Sequence, residues 1–231
     1  MGDLASGLGE AFSRLAAGDA EVYGIAARTL IISLAATGLS LLIGCPVGLA
    51  LARGRFPGRT LLLSMVHTGM GMPPVVVGLF IWLLMTRSGP LGGLGIIYSP
   101  TAMVIAQFLI ATPLVIGFTA ASIQSLPPLL PDLLASLGAG PLQSLRLLLR
   151  EARLGILAAV MAGFGAVVSE VGAAMTVGGN LRGSTRVLTT AIVTATGRGE
   201  LSQAAAFGII LLALAFAVTL VLTLLQQRRA G

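Results

Sequence analysis

The sequence contains no lysine, and all 14 of its basic residues are arginine. A phosphate-binding loop of the Walker type needs the lysine of Gly-Lys-Ser/Thr, so this chain cannot form one. A Schiff-base or pyridoxal-phosphate enzyme needs a lysine amine as well. One histidine, His67, and one cysteine, Cys45, exclude a zinc site with the usual set of ligands and an internal disulfide. No nucleophile–base pair is evident, so we expect no catalytic residue, no metal and no cofactor in this chain, which is not predicted to be an enzyme.

Charged residues are scarce, at 10% of the 231 residues, whereas 56% are hydrophobic and the mean hydropathy is +0.99. A soluble domain carries about 25% charged residues and cannot hide so much apolar surface. The apolar stretches long enough to cross about 30 Å of hydrocarbon are residues 29–52, 60–86, 101–123, 155–178 and 201–225. Because these runs are continuous and not alternating, they predict an all-α integral membrane protein with five transmembrane helices.

The first 22 residues are mixed and polar, with apolar residues at helical spacing. They lack the basic start and short apolar core of a cleaved signal peptide. We therefore predict a short amphipathic helix at the outer membrane interface over residues 1–22. The remainder, residues 23–226, is predicted to form a single transmembrane domain.

Arginine placement predicts the orientation of the chain. The arginines on one side are Arg53, Arg55, Arg59, Arg146, Arg150, Arg153, Arg228 and Arg229, and the other six fall on the opposite side. The richer side is expected to be cytoplasmic, which places the N-terminus outside and the C-terminus in the cytoplasm. With Asp132 and Glu151, the inner arginines account for the whole net charge of +6. The basic character is then an orientation signal, and we expect no nucleic acid as partner.

The connection between the third and fourth predicted spans, residues 129–153, is long and organised. The prolines of residues 127–131 end the third span. Asp132 is predicted to cap a short helix, residues 138–141 break it, and a second helix follows over residues 141–153. This bent pair either rests on lipid headgroups or docks a cytoplasmic partner.

Residues 132–139, with Leu148, resemble the coupling loop of bacterial ABC importer permeases. That loop typically has Glu-Ala-Ala, three residues, Gly, and nine further residues before Ile-x-Leu-Pro. Asp132 stands at the glutamate position, Gly138 at the glycine and Leu148 at the isoleucine, whereas leucines replace the two alanines and Arg150 and Glu151 the Leu-Pro. The resemblance implies as ATPase-coupling residues Asp132, Leu134, Ala135, Leu137, Gly138 and Ala139.

Other segments extend the resemblance over most of the chain. Those that resemble molybdate-type permeases are residues 55–59, 169–172, 178–180 and 185–192. Those similar to the tungstate-type branch in particular are residues 71–78, 87–92 and 102–107.

The resemblance implies a type I ABC importer permease fold with a cytoplasmic coupling-helix loop, in a bacterial or archaeal plasma (inner) membrane. It implies a homodimer, a separate cytoplasmic ATPase that binds ATP and Mg²⁺, and an extracytoplasmic binding protein that delivers an oxyanion. Tungstate is the expected substrate, and molybdate or sulfate are the alternatives. A secondary transporter or channel without an ATPase is the alternative of another class, although it would have no need of the ordered connection.

Polar residues inside the predicted spans are candidates for the pathway. An ionised side chain at mid-bilayer costs at least about 2.5–3.5 kcal/mol, so Glu170 is expected to face a cavity or a partner, with Arg182 or Arg186 nearest in sequence. Ser169 and Thr176 are seven residues apart and are predicted to share a helix face beside it. The alternative is a packing face with a satisfied carboxylate.

Three further groups complete the candidate residues. Asn180 follows the fourth predicted span, and Met70, Met72 and Pro73 lie where prolines are predicted to kink the second span, as a gate hinge or a static bend. The outer arginines, Arg182 and Arg186, are expected to dock the binding protein or to pair with acids, and an oxyanion funnel is the alternative.

Overall fold

The computed structural model describes residues 6–9, 12, 13 and 16–227, and the regular structure within these ranges is helical. Residues 6–9, 12, 13 and 16 are helical. From Ala20 onward the helices are, in chain order, α1 (Ala20–Arg53), α2 (Arg59–Met70), α3 (Pro74–Met85), α4 (Pro100–Gln124), α5 (Leu130–Ser136), α6 (Pro141–Glu151), α7 (Arg153–Val168), α8 (Gly172–Gly178), α9 (Leu188–Gly197) and α10 (Leu201–Gln227). A single 3₁₀ turn, Gly92–Leu94, lies between α3 and α4.

Three of these helices, α1, α4 and α10, are long and apolar enough to cross a membrane. The number of spans rises to five if α2 with α3, and α6 with α7, are each counted as one bent span. The all-α membrane architecture is therefore confirmed. Helix α1 starts at Ala20 and not at residue 29, because the Asp19 carboxylate caps it by accepting the N–H of Glu21 at 2.9 Å.

The central contact of the bundle joins α1 to α4 through small residues. Those buried at intervals of three or four along one face of α1 include Ser33, Ala36, Thr37, Ser40, Gly44 and Gly48. The Ser40 hydroxyl lies 3.1 Å from the carbonyl oxygen of Phe108 on α4 and 3.2 Å from the hydroxyl of Thr112. Small residues let two backbones approach closely. Such packing matters in lipid because no hydrophobic force drives the helices together there.

Helices α2 and α3 bend by 103° at their junction. Pro73 and Pro74 have no backbone N–H with which to continue the α2 ladder. Pro74 instead occupies the first turn of α3, where a proline is well tolerated. The kink predicted in the second span is thus confirmed, and it sets α3 nearly perpendicular to α2.

The fourth predicted span, residues 155–178, is wrong as a single helix. Helix α7 ends at a non-helical Ser169–Val171 segment before α8 begins. Side chains bond to the backbone at this break: the Glu170 carboxylate accepts the N–H of Ala173 at 2.7 Å in place of a backbone carbonyl, and the Ser169 hydroxyl donates to the Gly165 carbonyl at 2.8 Å, which also accepts the Ser169 N–H.

Helices α8 and α9, with 7 and 10 residues, are too short to cross the hydrocarbon. Helix α9 packs between α1 and α10, where Leu188 and Ala191 are buried with Ile25 and Phe207. The interfacial helix predicted over residues 1–22 falls partly outside the described residues and stays a prediction.

The α1–α4 contact predicts the effect of a single added methyl group. Gly48→Ala is expected to lower the free energy of unfolding by about 1–3 kcal/mol, because a Cβ there would lie 2.7 Å from the Ile116 carbonyl oxygen. Gly38→Ala on the same helix is the matched control, since nothing lies within 4 Å of its Cβ. Thermal unfolding in detergent compares the two variants. A lower unfolding midpoint for Gly38→Ala than for Gly48→Ala would contradict the packing.

Candidate functional site

The hairpin that joins α4 to α7 consists of α5, a turn and α6. Helix α5 begins at Leu130 with Leu129 as its N-cap residue, so Asp132 lies in the first turn. The capping role predicted for Asp132 is therefore wrong, because the helix starts earlier, within the proline-rich segment. Helix α6 begins at Pro141 as predicted, and the Gln143 side chain accepts the N–H of Gly140 at 3.0 Å.

Gly138 closes the turn between the two hairpin helices. Its φ of +80° lies in the left-handed region, which favours glycine. Its N–H donates to the Ala135 carbonyl at 3.0 Å, and the N–H of Ala139 donates to the Leu134 carbonyl at 2.9 Å. Most of the predicted coupling residues thus lie in one closed turn at the end of α5.

The hairpin exposes large apolar side chains. The leucines concerned, with their exposed fractions, are Leu129 (74%), Leu133 (54%), Leu137 (74%) and Leu142 (78%). Leu148, in contrast, is buried and anchors α6. A cluster of exposed leucines at the tip of an ordered hairpin is typical of a contact surface for a partner or a membrane.

A cavity of about 560 Å³ connects the hairpin with the end of α1. Arg53, Arg55, Arg59 and Asp132 line it. Arg59 also donates its Nε–H to the Leu51 carbonyl oxygen at 2.7 Å, which satisfies a carbonyl in the last turn of α1. Asp132 therefore lies beside the arginine-rich turn at this end of the bundle.

The opposite end of α1 carries an ion pair. This helix of 34 residues is about 50 Å long. Near its start, the two oxygens of the Glu21 carboxylate accept hydrogen bonds from Nε and Nη2 of Arg182, each with a nitrogen–oxygen distance of 3.0 Å. Arg186 Nη1 lies 3.9 Å from the same carboxylate. The predicted pairing of Glu170 with either arginine is therefore wrong. Because Arg182 is 69% exposed, its pair with Glu21 is worth at most about 1 kcal/mol.

Arg186 orders the loop between α8 and α9. Its Nε–H donates to Asn180 Oδ1 at 3.2 Å, and Asn180 Nδ2 donates to the Thr194 hydroxyl at 2.7 Å. Burial lowers the pKa of Arg186, and the neighbouring Arg182 guanidinium adds to this effect. The cavity beside these groups measures about 30 Å³, the volume of roughly one water molecule in the liquid.

Three residues of α1 that hold this end were not predicted from the sequence. They are Glu21, Arg28 and Thr29. Arg28 Nε donates to the Arg186 carbonyl at 3.1 Å, and the Thr29 hydroxyl oxygen accepts the N–H of Leu188 at 2.9 Å. The sequence does show two charged residues, Glu21 and Arg28, at the start of a long apolar run. The residues that this end of α1 contacts, however, lie more than 150 positions away along the chain.

Glu170 is buried within the break between α7 and α8, with 7% of its surface exposed. Its Oε1 accepts the N–H of Ala173, and its carbonyl oxygen accepts the hydroxyl of Thr189 at 2.9 Å. The neighbouring Ala173 packs closely on α3, since a Cβ on Gly78 would lie 2.6 Å from its Cα. Glu170 therefore joins α7, α8 and α9.

Ser169 and Thr176 do not share a helix face, contrary to the prediction, because the helix is broken between them. The Thr176 hydroxyl donates to the Gly172 carbonyl at 2.8 Å within α8, whereas Ser169 is exposed and bonds back to α7. Their proposed pathway roles stay predictions.

The candidates in the second predicted span lie at the bend between α2 and α3. Met70 packs against Gly117 of α4. Met72 and Pro73 are exposed, and Pro73 is the N-cap residue of α3. The structure therefore separates the candidates into two groups, one at this bend and one at residues 169–180.

Long apolar helices, two bent pairs and an ordered hairpin define the class as an all-α, multi-pass integral membrane protein. Residues 44–231 match the family described as binding-protein-dependent transport system inner membrane component, and the chain belongs to this family. It is therefore a membrane transport subunit, which confirms its resemblance to importer permeases.

Named relatives match over most of this chain. It is 38% identical to the probable anion ABC transporter permease protein of Haloferax volcanii, over 90% of this chain and 91% of the relative. It is 35% identical to the tungstate uptake system permease protein TupB of Peptoclostridium acidaminophilum, over 97% of this chain and 98% of the relative. It is 32% identical to TupB of Campylobacter jejuni, over 72% of this chain and 70% of the relative. Permeases named for molybdenum or sulfate transport match at 28–30% identity.

The contacts of Glu170 predict different outcomes for two substitutions. Glu170→Gln is expected to unfold near the wild-type temperature, because the amide oxygen can still accept the Ala173 N–H. Glu170→Leu leaves that buried N–H unpaired and is expected to lower stability by about 1–3 kcal/mol. Thermal unfolding of both purified variants in detergent measures this. An equal loss in both would assign the stabilisation to the negative charge instead.

Proposed function

We propose that this chain forms the translocation pathway of an ATP-driven importer for an oxyanion, with tungstate as its substrate. The observation that carries the proposal is the full-length similarity to a tungstate permease, at 35% identity over 97% of the chain, together with family membership. Molybdate and sulfate are the second candidates, since permeases named for them match at lower identity.

The hairpin supports coupling to a separate ATPase. It is ordered, closes at Gly138 and exposes leucines suited to a protein contact. The chain has no lysine for a phosphate loop, so ATP and Mg²⁺ are bound by the cytoplasmic partner. ATP-driven closure of that partner moves α5, and the pathway alternates between its two open states. An extracytoplasmic binding protein delivers the oxyanion.

Two copies of the chain form the pathway. In support, only 6% of the most apolar window of α10 is buried within a single chain, which leaves wide faces for lipid and a second copy. No internal repeat is evident that would supply a second half within one chain. The hairpin and the arginines of residues 53–59 face the cytoplasm, and the Glu21–Arg182 pair lies outside. In this orientation the chain spans the plasma (inner) membrane with its N-terminus outside and its C-terminus in the cytoplasm.

Uptake by the complete importer tests the substrate. The chain is reconstituted in proteoliposomes with its ATPase and its binding protein, and tungstate, molybdate and sulfate are offered separately. We expect ATP-dependent accumulation of tungstate, with molybdate taken up more slowly and sulfate least. Equal or faster uptake of sulfate or molybdate would contradict the tungstate assignment, and uptake without ATP would support a secondary transporter or channel.

Two neighbouring glycines test the hairpin. Gly138→Ala places a Cβ at φ +80°, which costs about 1–2 kcal/mol and loosens the closed end of α5. We expect ATPase co-purification and uptake to fall about five-fold. Gly140→Ala is the matched control, because its φ of −67° suits any residue and nothing lies within 4 Å of the added Cβ. Equal behaviour of the two variants would refute coupling through this turn.

A further inference from the structure

Helix α2 presents one packed face and two exposed faces. On the packed face, Leu63, Val66 and Met70 are half-buried, and the last two lie against Gly117 of α4. Gly69 also meets α4, since a Cβ there would lie 2.9 Å from the Pro113 ring. Between Thr60 and Thr68, the residues of α2 other than Leu63 and Val66 are exposed.

The two exposed faces of α2 differ in chemistry. One carries Thr60, Ser64 and His67, which follow the spacing i, i+4 and i+7 and therefore lie in one line. All three are exposed; we call them the polar stripe. The adjacent exposed face carries the apolar residues Leu61 and Met65, and the exposed Thr68 lies between the two faces and donates its hydroxyl to the Ser64 carbonyl at 2.9 Å.

The helices that carry and adjoin the polar stripe, α2, α3 and α4, contain no acidic residue, and the Glu170 carboxylate lies further along, beside Gly172 where it packs on Val75 of α3. No aspartate or glutamate occurs in the sequence between Glu21 and Asp132. His67 is the one ionisable residue between Arg59 and Arg87. Helices α3 and α4 carry no ionisable side chain at all. An anion that passes along the polar stripe would meet hydroxyl and imidazole donors and no carboxylate from these helices.

We propose that the polar stripe lines the water-filled route of the oxyanion, and that an imidazole N–H of His67 contacts the oxyanion in transit. The inference rests on the proposed function. A line of polar side chains in a membrane-spanning segment is stable where it meets water or protein, and the apolar face beside it suits lipid. A donor to an oxyanion forms a charge-assisted hydrogen bond, which is stronger than a neutral one.

Thiol accessibility tests the route. In a Cys45→Ala background, Ser64→Cys and His67→Cys are compared with Leu61→Cys and Met65→Cys on the adjacent apolar face. Each variant, assembled with its ATPase and binding protein, is exposed to an anionic, membrane-impermeant methanethiosulfonate. We expect the polar-stripe cysteines to react at least about ten times faster, because thiolate formation requires water. We also expect tungstate delivered by the binding protein to slow their reaction.

Uptake separates the failure of this inference from failure of the proposed function. If the Cys45→Ala importer takes up none of the three oxyanions, the proposed function fails. If uptake is normal but the polar-stripe cysteines react no faster than the apolar controls, or are unprotected by tungstate, the inference alone is overturned.

His67 itself is tested by the maximal rate of tungstate uptake. His67→Leu removes the donor and is expected to lower this rate about ten-fold. His67→Gln keeps an N–H donor and is expected to retain most of the rate, and Met65→Leu on the apolar face is the control. Equal rates in His67→Leu and wild type would refute the contact.

Discussion

Close packing of α1 on α4, through a line of small residues on α1, is the contact on which the other helices depend. Lipid provides no hydrophobic force between helices, so van der Waals contact and the Ser40 hydroxyl near the Phe108 carbonyl hold this pair together. Helix α1 then positions both ends of the bundle. Near its start Glu21 and Thr29 hold the loop before α9, and at its other end a carbonyl accepts Arg59. Any tilt of α1 would therefore move both ends together.

A helix can be broken within a membrane only where its freed polar groups find other partners. The two breaks meet this requirement differently. At the α2–α3 bend, Pro73 and Pro74 carry no N–H, so two donors are absent from the start. At the α7–α8 break, the Glu170 carboxylate takes the place of a backbone acceptor for the Ala173 N–H, and the Ser169 hydroxyl adds a donor to the Gly165 carbonyl. This accounts for a buried carboxylate in an apolar segment, because Glu170 replaces a helical acceptor for the Ala173 N–H.

The sequence predicted best those features that depend on local composition. Long apolar runs located α1, α4 and α10 because hydropathy is a sum over neighbours, and prolines with Gly138 located the hairpin. The α7–α8 break was missed because residues 155–178 are apolar throughout, and the hydrogen bond by which the Glu170 carboxylate accepts the Ala173 N–H leaves that hydropathy unchanged. The partner of Arg182 was missed since Glu21 lies 161 residues away, and no local pattern connects them. The start of α5 was misplaced because Asp132, a good capping residue, lies within the first turn.

Three arginines at the ends of the bundle already make structural hydrogen bonds. Arg59 donates to α1 carbonyls, Arg182 donates to both carboxylate oxygens of Glu21, and Arg186 donates to Asn180. Guanidinium groups committed in this way offer little capacity for holding an anion tightly. A route must bind its substrate well enough to admit it and weakly enough to release it. Tight recognition then belongs to the binding protein that the family employs, and single donors such as His67, in an acid-free stretch, suffice along the route.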